Sequence, residues 1–110
     1  MPVSLSTHVL DTGVGKPAVG VPVRLERAVL TLDGEVKGWR PVAQAVTDGD
    51  GRVAQLPADG AGTWRLLFDT AGHSAFHPEV AITFVIEDAA EHVHVPLLLA
   101  PFGYTTYRGS

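Results

Sequence analysis

The chain has 110 residues, a formal net charge of -4 and no cysteine. This length suits one domain with a single core, over residues 1–110. The lack of cysteine excludes a disulfide framework and any thiolate-based zinc or redox site. Acidic and basic residues are mixed along the chain, which argues against a nucleic-acid binder with a basic stripe. We therefore expect the partner to be a small molecule or another copy of the chain.

The start of the chain and the lengths of its apolar runs bear on location. Met1–Leu10 contain no basic start followed by a continuous apolar stretch, so we expect no secretory leader. No apolar run approaches the roughly 18 residues that cross a bilayer. The sequence therefore predicts a cytoplasmic protein with no membrane partner.

Apolar and polar residues alternate at period two between short turns, which is typical of β-strands. Pro22, near the start of one run, favours an edge or strand-beginning position. Residues 70–76 offer the only plausible helical turn, although Gly72 weakens it. About eight short strands and tight turns favour an all-β sandwich. Strands are predicted at residues 3–10, 21–29, 42–47, 52–56, 63–69, 80–86, 92–99 and 103–108, and turns at 11–17, 32–35 and 48–51.

Three histidines lie on predicted strands. His92 and His94 are two residues apart, so their side chains point to the same face of one strand. His8 lies in the first strand, and the three imidazoles converge if that strand and the seventh share a sheet or an interface. Imidazole acts as a general acid or base near neutral pH. A strand histidine is more often a hydrogen-bonded structural residue, and the His-x-His pair with His8 also resembles a catalytic zinc arrangement.

Arginines and the end of the sequence supply further candidates. Arg52 follows a turn directly, where its guanidinium can hold a carboxylate, urea or imide-like group by paired hydrogen bonds. Arg40, beside Trp39, competes on the same grounds, and an ordinary surface arginine is the simpler interpretation of both. The patterned, aromatic stretch Tyr104–Ser110 predicts a docked tail, since most termini fray. The Ser110 carboxylate is then expected to belong to a site.

Three blocks of the sequence resemble the 5-hydroxyisourate hydrolases, the enzyme branch of the transthyretin-like family. The most specific block runs from Glu91 to Ser110 and ends in Tyr-Arg-Gly-Ser, the tetrapeptide that marks the enzymes. The other two are Ser6–Asp11 with Gly15–Ala18, and Thr47–Asp48 with Asp50–Arg52. A weaker block, 76–79, departs from the family because His77 replaces a common aromatic residue, which leaves local packing there in question.

The resemblance implies a transthyretin-like β-sandwich of two sheets with about eight strands and one short helix. It also implies a homotetramer whose active sites lie in a channel at the dimer–dimer interface. The implied reaction is hydrolysis of 5-hydroxyisourate to 2-oxo-4-hydroxy-4-carboxy-5-ureidoimidazoline in urate degradation, with no cofactor and no metal. The implied catalytic residues are His8, Arg52 and His94, and the implied substrate-binding residues are His92, Tyr107, Arg108, Gly109 and Ser110.

The implied mechanism divides the chemistry between the histidines and the arginine. His8 and His94 position and deprotonate a water, while Arg52 fixes the substrate oxygens and stabilises developing negative charge. Which histidine is the base stays open. Three other functions also remain: a transthyretin-type ligand carrier, a zinc protein that uses His8, His92 and His94, and a purely structural assembly module. The histidine, arginine and tail residues together favour catalysis over these.

Overall fold

The computed structural model of the chain describes residues 3–88 and 92–109. These residues form nine strands and, within the described ranges, no helix. The strands are β1 Val3–Asp11, β2 Lys16–Pro17, β3 Pro22–Leu30, β4 Val36–Val46, β5 Arg52–Ala58, β6 Gly62–Asp69, β7 Glu79–Ile86, β8 His92–Leu99 and β9 Tyr104–Thr106. Among these residues there is no helix that could cross a membrane.

The strands form two sheets. One has the order β2-β1-β8-β9, with β5 also pairing with β1, and the other has the order β4-β3-β6-β7. Every pairing is antiparallel except that of β1 with β8. The predicted all-β sandwich of two sheets is therefore confirmed, and the described strands β7 and β9 are sheet edges.

The core lies between the inward faces of the two sheets. Its largest fully buried side chains are Trp64 and Phe68 of β6, which pack with Leu, Ile and Val residues from both sheets. The period-two alternation explains this burial because every second residue of a strand faces the same side. In β3 the inward residues Val23 and Leu25 are at most 2% exposed. The apolar residues that mark the strands in the sequence are therefore also the residues that join the sheets.

The parallel pairing of β1 with β8 positions the candidate site. Leu5, Thr7 and Val9 face the core and are buried, so the intervening β1 residues face outward. Thr7 is 1% exposed, and its hydroxyl donates a 2.6 Å hydrogen bond to the carbonyl of Val95 in β8. A buried hydroxyl is tolerated when it has such a partner. This bond ties the two strands together directly beneath their outward polar face.

Four local predictions need correction. The short helix expected near residues 70–76 is instead a turn, closed by bonds from the N–H groups of His73 and Ser74 to the Thr70 carbonyl. That segment is short and contains Gly72, so it cannot extend a helix. β4 begins at Val36, earlier than the predicted residue 42, because its pairing with β3 continues to Leu30. The last strand ends at Thr106, and the short β2 lies inside the predicted turn 11–17.

Candidate functional site

Four side chains on β1 and β8 form a hydrogen-bonded row. The register places Ser4 beside His92 and Ser6 beside His94. The Ser4 hydroxyl lies 2.8 Å from His92 Nδ1, and the Ser6 hydroxyl lies 3.0 Å from His92 Nε2 and 2.8 Å from His94 Nδ1. The two imidazoles therefore share one hydroxyl, and each has a fixed ring orientation.

This row borders a hollow of about 320 Å³ on the outer side of the sheet. Its lining residues are Ser6, Thr7, Arg52, Val53, Ala54, His92 and His94. His92 is exposed and His94 is half-buried. The hollow therefore joins two imidazoles and one guanidinium in a space open to solvent.

His8 and Arg52 are neighbours across strands β1 and β5. Directly opposed residues of an antiparallel pair project to the same face, so both side chains belong to the outward face. His8 is not among the residues that line the hollow, and its Nε2 lies 2.9 Å from the carbonyl oxygen of Asp50. A carbonyl only accepts, so Nε2 carries the proton and Nδ1 of neutral His8 keeps its lone pair.

The turn before β5 fixes both His8 and Arg52. The Asp48 carboxylate accepts hydrogen bonds from the backbone N–H groups of Asp50, at 2.9 Å, and Arg52, at 3.0 Å. These two bonds hold the pKa of Asp48 below its ordinary value of 3.8, and the nearby charges of Arg52 and His8 act in the same direction. The ionised Asp48 therefore sets the geometry of the Asp50 carbonyl and of the first residue of β5.

Gly51 allows this turn to pack against β1. Its φ is +75°, and an added Cβ would come within 2.4 Å of the Val9 carbonyl oxygen. The Gly51 carbonyl in turn accepts a 2.7 Å hydrogen bond from the Val9 N–H. A left-handed backbone and a contact this close together require glycine.

The environment of His94 favours the neutral imidazole. Burial is the largest cause that lowers the pKa of His94 below 6.5, and electrostatic interaction with His8, His92 and Arg52 lowers it further. A hydrogen bond with the backbone of Ser6 opposes them. Within residues 3–88 and 92–109, His94 Nε2 has no hydrogen-bond partner. A neutral ring with a free nitrogen is what a general base requires near pH 7.

The tail returns to the site at Gly109. The N–H of Gly109 donates a 2.8 Å hydrogen bond to the His94 carbonyl, and a Cβ at Gly109 would lie 2.5 Å from His94 Cδ2. Tyr107 and Arg108 are exposed on the segment between β9 and this contact. The docked tail predicted from sequence is thus found as far as Gly109, while Ser110 lies outside the described residues.

Sequence reasoning missed three residues of this arrangement. Ser4 and Ser6 alternate with buried residues on β1 and lie on the face of His8, a pattern that marks them as its neighbours. Their partners on β8 depend on the parallel register, which the sequence does not give. The sequence places Asp48 in a turn and in a family block but assigns it no role in the site, although an aspartate two and four residues before its backbone partners is a common turn signal.

The remaining polar candidates lie elsewhere. Arg40 is 3.6 Å from Asp59, in a group with Arg27. His73 Nδ1 lies 3.5 Å from the Asp11 carboxylate. His77 makes edge-to-face contacts with Phe76 and Tyr104, at centroid distances of 4.8 and 5.1 Å. The ring at position 77 therefore occupies an aromatic cluster even though it is a histidine.

Two further features bear on alternative sites. Among the described residues, no group of three or more His, Cys, Asp or Glu side chains is arranged to hold a metal ion. A larger hollow of about 740 Å³ lies beside β3, β4 and β6, with Arg24, Asp69 and Glu79 as its charged lining residues. That lining contains no histidine and none of the predicted site residues. The smaller hollow at β1, β5 and β8 is therefore the candidate site.

Comparisons with known proteins agree with this architecture. The chain is 45% identical to the uric acid degradation bifunctional protein TTL of Arabidopsis thaliana, with 96% of this chain aligned but only 37% of that protein's length. It is 41% identical to the 5-hydroxyisourate hydrolase of Mus musculus, with 96% of this chain and 94% of that protein aligned.

Solved structures and a family model give the same result. The 5-hydroxyisourate hydrolase of Klebsiella pneumoniae superposes with a TM-score of 0.78 at 39% identity, covering 97% of this chain and 99% of that one. Sea bream transthyretin in complex with thyroxine gives a TM-score of 0.80 at 32% identity, covering 96% and 93%. The model of the HIUase/Transthyretin family matches residues 5–109. The resemblance noted in the sequence is confirmed, and the chain belongs to the HIUase/Transthyretin family.

Proposed function

We propose that this chain is a hydrolase that converts 5-hydroxyisourate to 2-oxo-4-hydroxy-4-carboxy-5-ureidoimidazoline in urate degradation. The observation that carries the proposal is the placement of His8, Arg52 and His94 on one face of the β5-β1-β8 sheet. The mouse and Klebsiella relatives named 5-hydroxyisourate hydrolase support the choice of substrate. The substrate carries an activated acyl–nitrogen bond, which water can open without a cofactor.

His94 is the general base in this proposal. Burial, together with the nearby Arg52 guanidinium, keeps its pKa below 6.5, so the ring is neutral at physiological pH. Its Nδ1 is occupied by the Ser6 hydroxyl at 2.8 Å, which leaves Nε2 to take a proton from water. The resulting hydroxide equivalent attacks the ring carbonyl.

His8 orients the same water in this scheme. Its Nε2 proton is donated to the Asp50 carbonyl, so Nδ1 is the nitrogen that can accept a hydrogen bond from the water. A fixed tautomer makes this contact directional, and correct placement of water lowers the entropic part of the barrier. His8 therefore positions the nucleophile and His94 deprotonates it.

Arg52 binds the substrate oxygens and stabilises the oxyanion formed on attack. Its guanidinium borders the hollow and is exposed. Within the part of the chain that the structure describes, the guanidinium is held by neither a hydrogen bond nor an ion pair. A planar donor fork of this kind can donate paired hydrogen bonds to the oxygens of the substrate.

The remaining predicted binding residues are His92 and the tail residues 107–110. His92 borders the hollow, and Gly109 brings the tail against His94. We propose that His92 and the segment Tyr107–Gly109 contact the substrate, with Ser110 continuing that segment. The prediction for Ser110 concerns a residue outside the described ranges.

We also propose that the chain assembles as a homotetramer with sites at the dimer–dimer interface. Large apolar side chains are exposed in the monomer, including Phe76 at 63% and Phe102 at 79%. Strand β9 is a sheet edge with backbone groups available for pairing. Exposed apolar surface of this kind marks an interaction site. A cytoplasmic location stays a prediction from the sequence.

A second candidate function is transport of a ligand without turnover. The similarity to sea bream transthyretin, solved with thyroxine, supports it. A carrier requires binding only, so replacement of His94 would change affinity and no reaction rate.

Direct turnover tests the proposal. 5-Hydroxyisourate is generated from urate with urate oxidase, and its ultraviolet absorbance is followed with and without the protein. We expect decay well above the spontaneous rate for the wild-type chain. Decay at the spontaneous rate, by protein shown to be folded, would leave the carrier as the better account.

A further inference from the structure

The Ser6 hydroxyl is shared by two imidazoles, and this constrains their protonation. Ser6 lies 3.0 Å from His92 Nε2 and 2.8 Å from His94 Nδ1. A serine hydroxyl has one proton to donate and oxygen lone pairs that accept. When Ser6 donates to one ring nitrogen, the other ring must donate to Ser6. The tautomers of His92 and His94 are therefore linked through one oxygen atom.

Only one of the two arrangements leaves His94 Nε2 free to act as a base. In that arrangement His94 Nδ1–H donates to Ser6, and Ser6 O–H donates to His92 Nε2. His92 then carries its own proton on Nδ1 and donates it to the Ser4 hydroxyl, 2.8 Å away. His94 therefore donates to Ser6, Ser6 donates to His92 and His92 donates to Ser4. All three hydrogen bonds point toward the exposed end of the row.

We infer that Ser6 is a positioning residue that sets the His94 tautomer and relays a proton between His94 and the exposed His92. This inference rests on the proposed hydrolase function and adds Ser6 to the residues of that site. Ser6 acts through His94, and nothing in the inference requires it to touch the substrate.

The relay balances over one turnover. His94 Nε2 takes a proton from water as the hydroxide oxygen bonds to the carbonyl carbon. The Nδ1 proton of His94 then passes to Ser6, while the Ser6 proton passes to His92 Nε2. When the carbon–nitrogen bond breaks, His94 gives its Nε2 proton to the leaving nitrogen, and the relay returns a proton to Nδ1. Both histidines end neutral, and water has supplied hydroxide to carbon and a proton to nitrogen.

Burial and charge agree with this direction of transfer. His94 is half-buried and lies near the Arg52 guanidinium, whereas His92 is exposed to solvent. Charge is less costly where water can solvate it. Transient movement of positive charge from His94 to His92 therefore lowers the cost of protonating the base.

The test compares Ser6→Ala with Ser6→Thr, which keeps a hydroxyl on the strand. The matched control is Thr83→Ala, which removes an exposed hydroxyl from β7 in the other sheet. We expect Ser6→Ala to lower kcat/KM by roughly tenfold to hundredfold, since a positioned general base contributes about that much or more. Ser6→Thr should recover most of the rate, and Thr83→Ala should match the wild type.

Two readouts separate this role from a loss of structure. Because a hydroxyl that accepts from the His94 ring favours the charged imidazolium, its removal should move the acid limb of the pH profile to lower pH while the plateau falls. Nitrogen NMR of the histidine rings should report Nδ1–H as the main His94 tautomer in the wild type and a shift toward Nε2–H in Ser6→Ala. If Ser6→Ala is unfolded, Ser6→Cys, which is similar in size and a weaker donor, replaces it.

Unchanged tautomers and an unchanged plateau in folded Ser6→Ala, or in Ser6→Cys where it replaces it, would overturn the inference. The NMR result does not depend on turnover, so it stands apart from the proposed function. Wild-type protein that shows linked tautomers without accelerating 5-hydroxyisourate decay would reject the hydrolase proposal and keep the hydrogen-bond coupling.

Discussion

The ring of His94 lies against the backbone of Gly109, where an added Cβ would approach His94 Cδ2 to 2.5 Å. The Gly109 N–H also donates a 2.8 Å hydrogen bond to the His94 carbonyl. The glycine of the Tyr-Arg-Gly-Ser ending therefore has a physical role in this chain. Its missing side chain lets the tail close over the imidazole without displacing it.

Gly109→Ala should displace the His94 ring and lower kcat/KM by about tenfold or more, because misplacement of a reacting group by about 1 Å is costly. Gly103→Ala is the matched control, since an added Cβ there meets nothing within 4 Å. Steady-state kinetics and thermal unfolding check both variants. Equal activity in the two alanine variants would contradict the packing role of Gly109.

Gly51→Ala should destabilise the fold by about 1–3 kcal/mol, since it forces a left-handed alanine against the Val9 carbonyl. The expected fall in Tm is at least about 4 °C for a domain of this size. Gly49→Ala, whose Cβ meets nothing within 4 Å, should change Tm little. A thermal scan of both variants measures the difference, and similar Tm values would count against the close turn packing.

Activity should fall on the acid side with the protonation of His94. In the proposed mechanism His94 is the base and works only when neutral. Its pKa lies below 6.5, so kcat/KM should be level near neutral pH and fall as pH drops through that pKa. Arg52→Gln removes a positive charge that lowers this pKa, so the limb should move to higher pH. A pH profile of each protein checks the direction of the shift. An acid limb at the same pH in both proteins would contradict the conclusion that the Arg52 charge lowers the His94 pKa.

Asp48 should stabilise the fold only while it is ionised. Its folded-state pKa lies below 3.8, so its contribution is fully present above 3.8 and is lost as pH falls through the folded value. The Tm difference between the wild type and Asp48→Asn should therefore be largest near neutral pH and vanish in strong acid. A Tm difference between the wild type and Asp48→Asn that grew as the pH fell would contradict this prediction.

Removal of the Asp48 carboxylate, which accepts both hydrogen bonds in the turn, should also lower activity at the site. Asp48→Ala deletes both hydrogen bonds to the backbone N–H groups of Asp50 and Arg52, whereas Asp48→Asn keeps an acceptor oxygen. We expect Asp48→Ala to lower kcat/KM by about tenfold, because His8 and Arg52 both depend on this turn, and Asp48→Asn to lower it less. Equal kinetics in the two variants would contradict this role.

The sequence predicts the strands well because side-chain burial in this fold follows simple alternation. Val23 and Leu25 lie inward, and Pro22 begins its strand as its missing N–H requires. Residues 70–76 do not follow the helical prediction, because hydrogen bonds to the Thr70 carbonyl close a turn instead. Local propensity does not include these contacts.

The site is harder to predict because it depends on register. The spacing of His92 and His94 places them on one face, but only the pairing of Ser6 with His94 identifies their common partner. The approach of Gly109 to His94 joins residues on opposite sides of a hairpin turn, and alternation gives no information about it. The resemblance to a family, and not the periodicity of the sequence, predicted that Arg52 belongs to the same site as the histidines.

The central claim is that the face shared by His8, Arg52 and His94 opens 5-hydroxyisourate. The most direct test measures kcat/KM on freshly generated substrate for the wild type, His94→Asn and Thr83→Ala, each corrected for spontaneous decay. The account predicts fast turnover by the wild type and Thr83→Ala, and a loss of about a hundredfold or more in His94→Asn. Full activity in folded His94→Asn, or spontaneous decay alone with the wild type, would contradict it.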